Sequence, residues 1–113
     1  FMMIARWQFQ AKFGYKNDAI NLINKWYNEI GSQIGWPRDK VRIITGSVGA
    51  SEAIVECEVE IEEMKDLDES WAKLSSIKKH KTWGKQFEKY IISGSTKWEF
   101  FRVVQASFPS STD

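Results

Sequence analysis

Cysteine is nearly absent from this chain: Cys57 is the only one among 113 residues. An internal disulfide is therefore impossible, and so is the CxxC pair that a metal chaperone needs. Neither sign of charge is in excess, since 16 basic side chains face 15 acidic ones. A net charge of +1 gives no electrostatic case for nucleic acid. Long apolar runs are missing too. None nears the ~20 residues of a membrane-spanning helix, and no signal-peptide pattern appears. These absences lead us to expect a reduced, cytoplasmic setting with no nucleic-acid and no membrane partner. Histidine is down to one, His80, and no nucleophile elbow surrounds Ser70, Ser75 or Ser76. Phe1 precedes Met2, unusual for a translation start, so the first residue reads as part of a longer reading frame or as an added residue.

What the chain does have is tryptophan. Six indoles in a 13.2 kDa chain imply a large core, a second buried surface, or both. The length fits a single domain, residues 1–113, with an ordered core over about 3–105 and a C-terminal tail over 106–113. A chain of this size buries roughly two-thirds of its unfolded surface, enough for a core without staples.

The most regular stretch is Ser51 to Glu62, SEAIVECEVEIE. Ala53, Val55, Cys57, Val59 and Ile61 alternate with Glu52, Glu56, Glu58, Glu60 and Glu62, and only Ile54 breaks the pattern. A period of two makes a strand with one apolar and one acidic face. Carboxylates two residues apart on one face sit only ~7 Å apart, so this row needs cations or donors beside it. Cys57 falls on the apolar face and reads as a small buried hydrophobe.

Around it the chain reads as an ordered series. Met3 to Lys12 alternates as a first strand, with Ala5, Trp7, Phe9 and Ala11 on one face and Arg6, Gln8, Gln10 and Lys12 on the other. Asn17 or Asp18 can cap a helix whose stripe is Ala19, Ile20, Ile23, Tyr27, Ile30 and Ile34, stopped by Gly35 and Pro37. Val41 to Gly49 reads as a second strand, in a hairpin with the acidic one. Asp66-x-x-Glu69 resembles a capping box for a helix carrying Leu67, Trp71, Leu74 and Ile77, with Lys78, Lys79, His80 and Lys81 as its cationic C-terminus. On that stripe Trp71 reads as core, and its truncation is expected to cost about 3–5 kcal/mol. Thr82 can cap a short further helix with Trp83, Phe87, Tyr90 and Ile91 on one face. Ser95 to Gln105 is a last strand, apolar on both faces, which predicts burial on both sides.

The order β-α-β-β-α-(α)-β predicts an α+β, ferredoxin-like fold: one four-stranded antiparallel sheet with helices on one face. The first and third strands are then central neighbours, and Glu56, Glu58 and Glu60 gain Arg6, Gln8 and Gln10 as partners on the face away from the helices. The last strand is expected to add Trp98 and Phe100, beside Arg102, to that open face. With Ile44 they would form an exposed apolar patch, which predicts a homodimer formed sheet to sheet.

The element order, the split second helix, the His80-x-x-Trp83 junction and the closing Trp98-x-Phe100-x-Arg102-Val103 strand resemble the dimeric α+β barrel superfamily, in particular its antibiotic-biosynthesis-monooxygenase-like group. The resemblance spans Met3 to Gln105. It implies a dimeric α+β barrel with a ligand cavity between sheet and helices. Members include cofactor-independent monooxygenases, haem-degrading oxygenases and lactone isomerases.

Three functions follow as expectations. One is an oxygenase or isomerase that acts without cofactor or metal on a small aromatic or polyketide-like molecule. Its electrostatic groups would be Arg6, His80 and Arg102, with Gln8 as a hydrogen-bonding group and Trp7, Trp83 and Phe100 as walls. The second is a non-catalytic, small-ligand-binding or regulatory dimer, to which Glu56, Glu58 and Trp98 would also contribute contacts. The third is haem binding or degradation through His80. Trp26 and Trp71 read as packing, and Trp36, before Pro37, as a lid or an interface residue. The acidic row rules out an RNA recognition module, whose third strand carries stacking aromatics. The loop Phe13-Gly14-Tyr15-Lys16 lacks the pattern of an acylphosphatase.

Overall fold

The computed structural model describes residues 2–104; the expected tail over 106–113 lies outside them. Alternating segments form β1 (Met3–Gln10), β2 (Val41–Thr45), β3 (Ile54–Ile61) and β4 (Lys97–Arg102), and the helically spaced ones form α1 (Lys16–Glu29), α2 (Met64–Leu74) and α3 (Lys78–Phe87). The strands make one antiparallel sheet in the order β2-β3-β1-β4. This is the ferredoxin-like α+β arrangement that the element order predicts.

Register decides which side chain meets which. Arg6 stands opposite Glu58 and Gln8 opposite Glu56, as charge complementarity requires. On the other face Ala5 meets Val59, and Trp7 meets Cys57. The expectation for β4 is overturned. Trp98 pairs with Trp7 and Phe100 with Ala5, so both lie on the helix side, and Phe101, opposite Ile4, takes the open face. Arg102 pairs with Met3, also on the helix side and away from Arg6. A strand that is apolar on both faces carries no phase of its own, so a one-residue choice reverses every side chain. Nor is β4 buried on both sides: it is an edge strand and largely exposed.

The helix ends also differ from the sequence reading. Tyr15 precedes α1, and α2 starts at Met64 with Glu63 at its cap. Asp66 is the residue that reaches back, its Oδ2 accepting the Glu63 N–H at 3.1 Å, so the box lies three residues earlier than expected. The cationic run opens α3 instead of closing α2. Ser75 and Ser76 donate their hydroxyls to the carbonyls of Ala72 and Lys73, both at 2.8 Å, and the helix breaks there. Gly31 is a tight fit: a Cβ there would come within 3.2 Å of the Trp26 ring, and α1 tightens into a 3₁₀ turn, Gly31–Ile34, at that point.

The core between sheet and helices has two centres. Ala5, Trp26, Ile30, Ile34, Trp36, Val59, Ile61 and Leu67 form one; Phe9, Ala11, Ala19, Ile23, Val55, Cys57 and Phe87 form the other. Ser70, buried on α2, is tied structurally by donating to the Ile34 carbonyl at 3.0 Å.

Candidate functional site

Between the two core centres lies a cavity of about 270 Å³. All six tryptophans line it: Trp7 and Trp98 from the sheet, Trp26 from α1, Trp36 from the loop after α1, Trp71 from α2 and Trp83 from α3. Ile23, Tyr27, Cys57, Val59, Leu74 and His80 complete the wall. Large planar rings meet here at angles and cannot close the gap. Trp26 and Trp36 stand 5.5 Å apart at 51°, Trp26 and Trp83 6.2 Å at 55°, and Trp71 meets Trp98 edge-on at 5.5 Å and 72°. Trp71 and Trp98 are each 37% exposed, on the solvent side, while Trp26 and Trp36 are buried. Trp36 is therefore a wall and not a lid, and Trp71 is a half-open wall and not core.

Polar groups in the wall are few and fixed. The indole N–H of Trp26 donates to His80 Nδ1 at 3.0 Å, and that of Trp83 donates to the Leu22 carbonyl at 2.6 Å. His80 stacks on Trp83 with an interplanar angle of 14°. Burial lowers the His80 pKa, so the ring is neutral at pH 7. Burial also pushes the Cys57 thiol up to about 12 and raises the Tyr27 hydroxyl. Cys57 is thus an inert thiol, with no thiolate for nucleophilic work.

His80 also bears on haem. A ring nitrogen that accepts from an indole is bare, so the proton of the neutral ring sits on Nε2. In this state the free nitrogen has no lone pair for iron, which argues against the haem reading. Among the described residues, no group of three or more His, Cys, Asp or Glu is placed to hold a metal ion.

The expected site residues split between the two faces of the sheet. His80, Trp7, Trp83 and Trp98 meet in the cavity. Phe100 and Arg102 lie further along β4 and do not line it. Arg6, Gln8, Glu56 and Glu58 form a ladder on the open face. Arg6 Nη2 reaches Glu58 Oε2 at 2.6 Å and its Nε reaches Glu56 Oε2 at 3.3 Å; Gln8 donates to Glu56, and Arg42 from β2 donates to Glu58. The Phe101 ring covers the Arg6 guanidinium, 4.6 Å away. Glu58 is 3% exposed although, among the described residues, no helix covers this face. Burial alone would raise its pKa, but hydrogen bonds and charge from Arg42 and Arg6 hold its carboxyl below the usual range.

Sequence reading missed Trp26, Trp36, Tyr27, Cys57 and Trp71 as cavity residues. The signal available was the tryptophan count itself, far more than a core this small can interlock.

No protein-family model and no curated protein matches the chain. Solved structures match in fold. A NIPSNAP family protein from Agrobacterium tumefaciens is similar over 95% of this chain and 97% of its own, with a TM-score of 0.77 and 14% identity. A NIPSNAP-like domain protein from Burkholderia xenovorans is similar over 99% and 97%, with a TM-score of 0.64 and 12% identity. SnoaB, a cofactor-independent oxygenase from Streptomyces nogalater, is similar over 93% and 95%, with a TM-score of 0.65 and 7% identity. At these identities the likeness shows the fold alone: the chain is a ferredoxin-like α+β protein. Among the described residues, no helix is long and apolar enough to cross a membrane.

Proposed function

We propose that this protein binds a small planar aromatic molecule in the tryptophan-walled cavity. The observation that carries this reading is the convergence of all six indoles, from six separate segments, on one hollow. About 150 Å³ is enough for benzene in an engineered apolar cavity; about 270 Å³ has room for a two-ring molecule. The hollow opens past Trp71 and Trp98, and apolar wall left facing it without a packing partner forgoes burial worth ~25 cal/mol per Å². Packing alone would select against such a hollow. The test is titration with naphthalene-sized aromatics, read by the indole N–H signals in NMR. Saturable shifts in several indoles are expected; no shift with any planar aromatic overturns the reading.

Catalysis is the second reading, favoured by the fold shared with SnoaB, whose chemistry needs no cofactor. His80 is the one expected catalytic residue in the cavity; Arg6 and Arg102 are outside it. With its proton on Nε2, His80 would serve as a donor to developing negative charge and not as a base. Oxygen uptake with hydroxylated aromatics, abolished in a variant unable to bind them, is the expected sign of this activity.

We further propose a homodimer through the open face. Arg6, Arg42, Glu56 and Glu58 are already paired within that face, so covering these four strands none of them, while Glu60, opposite Ile4, would need a partner across the interface. Ile44 and Phe101, 39% and 42% exposed, supply apolar contact in place of the expected Trp98 and Phe100. Such a dimer should bury at least ~1,000 Å² in total. Sedimentation at micromolar concentration should give twice 13.2 kDa for the wild type and a shift towards monomer for Phe101→Glu; a wild-type monomer sinks the arrangement.

A further inference from the structure

We infer that the cavity takes an uncharged aromatic molecule bearing a hydrogen-bond acceptor such as a ketone, that His80 is the donor to it, and that Trp26 is the positioning residue that makes His80 a donor. This deepens the ligand-binding reading above and rests on it.

The argument begins with what an indole can do. Its N–H donates and never accepts. Trp26 Nε1 lies 3.0 Å from His80 Nδ1, so that nitrogen is the acceptor and carries no proton. The neutral ring then holds its proton on Nε2. Protonating Nδ1 would set two N–H groups head to head, so the same contact opposes the imidazolium, in the direction in which burial already acts. Stacking on Trp83 fixes the plane of the ring, and the Trp26 bond fixes its rotation within that plane. Trp26 is itself buried, which leaves little room for the pair to rearrange.

The other polar groups of the wall narrow the ligand further. The Trp83 N–H is taken by the Leu22 carbonyl. Among the described residues no Asp, Glu, Lys or Arg lines the cavity, so a charged ligand would be desolvated without a counter-charge. A ligand that only donates would find a wall whose indoles cannot accept. A ligand with an acceptor on a flat apolar body satisfies the rings and the His80 Nε2–H together.

Two measurements test this. Because His80 is the only histidine, ¹⁵N-labelling of histidine alone gives two ring-nitrogen signals that belong to one residue. In the wild type Nδ1 should be bare and Nε2 protonated, and in Trp26→Phe the two tautomers should mix. A proton on Nδ1 in the wild type overturns the inference without any ligand or variant. The second measurement compares 1-tetralone with tetralin, matched in shape and differing in the ketone, by NMR titration. The wild type should prefer the ketone by about five- to tenfold, the worth of one hydrogen bond. His80→Phe should bring that ratio to near one by weakening tetralone alone. His80→Gln, which can both accept from Trp26 and donate to a ligand, should keep part of the preference. Equal binding of the two probes by the wild type overturns the inference and leaves the binding function standing. Failure of both probes to bind overturns the two readings together.

Discussion

The two faces of the sheet invert what their surroundings suggest. The helix-covered face, where Trp7, Cys57 and Trp98 point, is roofed by α1, α2 and α3 and yet holds a hollow. The open face, where Arg6, Glu58 and Phe101 point, has no element above it among the described residues and yet leaves Glu58 almost without solvent. Side-chain shape accounts for both. Indoles are wide and rigid, and six of them crossing at steep angles cannot interlock. Guanidiniums and carboxylates on adjacent strands are flat and bond within the layer, so the ladder closes over itself. Coverage by helices and filling by side chains are therefore separate properties, and this protein uses the difference to keep a cavity in a small domain.

The comparison is most sharply tested where the helix-covered face is well filled. Phe9 is fully buried beside Phe87, whose ring meets it edge-on at 5.0 Å. Phe9→Ala should cost about 3–5 kcal/mol in urea unfolding, with the denaturant slope unchanged. A loss below about 1 kcal/mol would mean that the packing on this side is loose throughout and not only at the cavity.

On the open face the expected effect is smaller. Glu58→Ala removes the acceptor shared by Arg6 and Arg42. Hydrogen bonds to charged groups contribute about 1.5–3 kcal/mol each when buried, but the Arg42 side chain is 68% exposed and can turn to water. A loss of about 2 kcal/mol at pH 7 is expected after that screening. The sign with pH follows from the lowered carboxyl. Folded Glu58 holds its proton less tightly than unfolded Glu58, so its contribution is present above the ordinary carboxylate pKa and is lost as pH falls through the folded value. The gap between wild type and Glu58→Ala should therefore close in acid. A gap that stays constant down to pH 2 would show that Glu58 acts by packing and not by charge.

Much of this was legible in the sequence. The alternation of Ser51 to Glu62, with Arg6 and Gln8 at alternate positions in β1, specified the central pair of strands and the face of its ladder, but not the register: Glu60 meets Ile4, and Gln10 meets Ile54 instead of a glutamate. The phase of β4 was not legible, because Trp98, Phe100, Phe101 and Val103 make both faces apolar and only pairing with β1 separates them. The break between α2 and α3 was hidden for a related reason: Ser75 and Ser76 end the helix through local hydroxyl bonds, while the apolar spacing runs on to Ile77. The cavity was the least legible feature. Periodicity places Trp26, Trp71 and Trp83 on inward stripes, but inward is compatible with a filled core and with a wall. The distinction lies in angles between rings on distant segments, which no local pattern records.

Trp71 is where that distinction has its smallest and most telling consequence. As a core residue on the Leu67–Leu74 stripe it would cost about 3–5 kcal/mol to truncate. As a half-open wall it has less to lose. Its indole is 37% exposed, borders a space that holds no packing partner, and keeps one edge-on contact with Trp98. That contact is worth about 0.5–1.5 kcal/mol beyond area. Trp71→Ala should therefore destabilise by only about 1–2 kcal/mol, the aromatic pair plus a partial burial at ~25 cal/mol per Å². The same substitution widens the cavity on its exposed side, so it should weaken binding of a planar aromatic more than it weakens the fold. Unfolding in urea and NMR titration on one variant separate the two readings. A loss of 3 kcal/mol or more with ligand binding intact would return Trp71 to the core and shrink the cavity to the remaining five indoles.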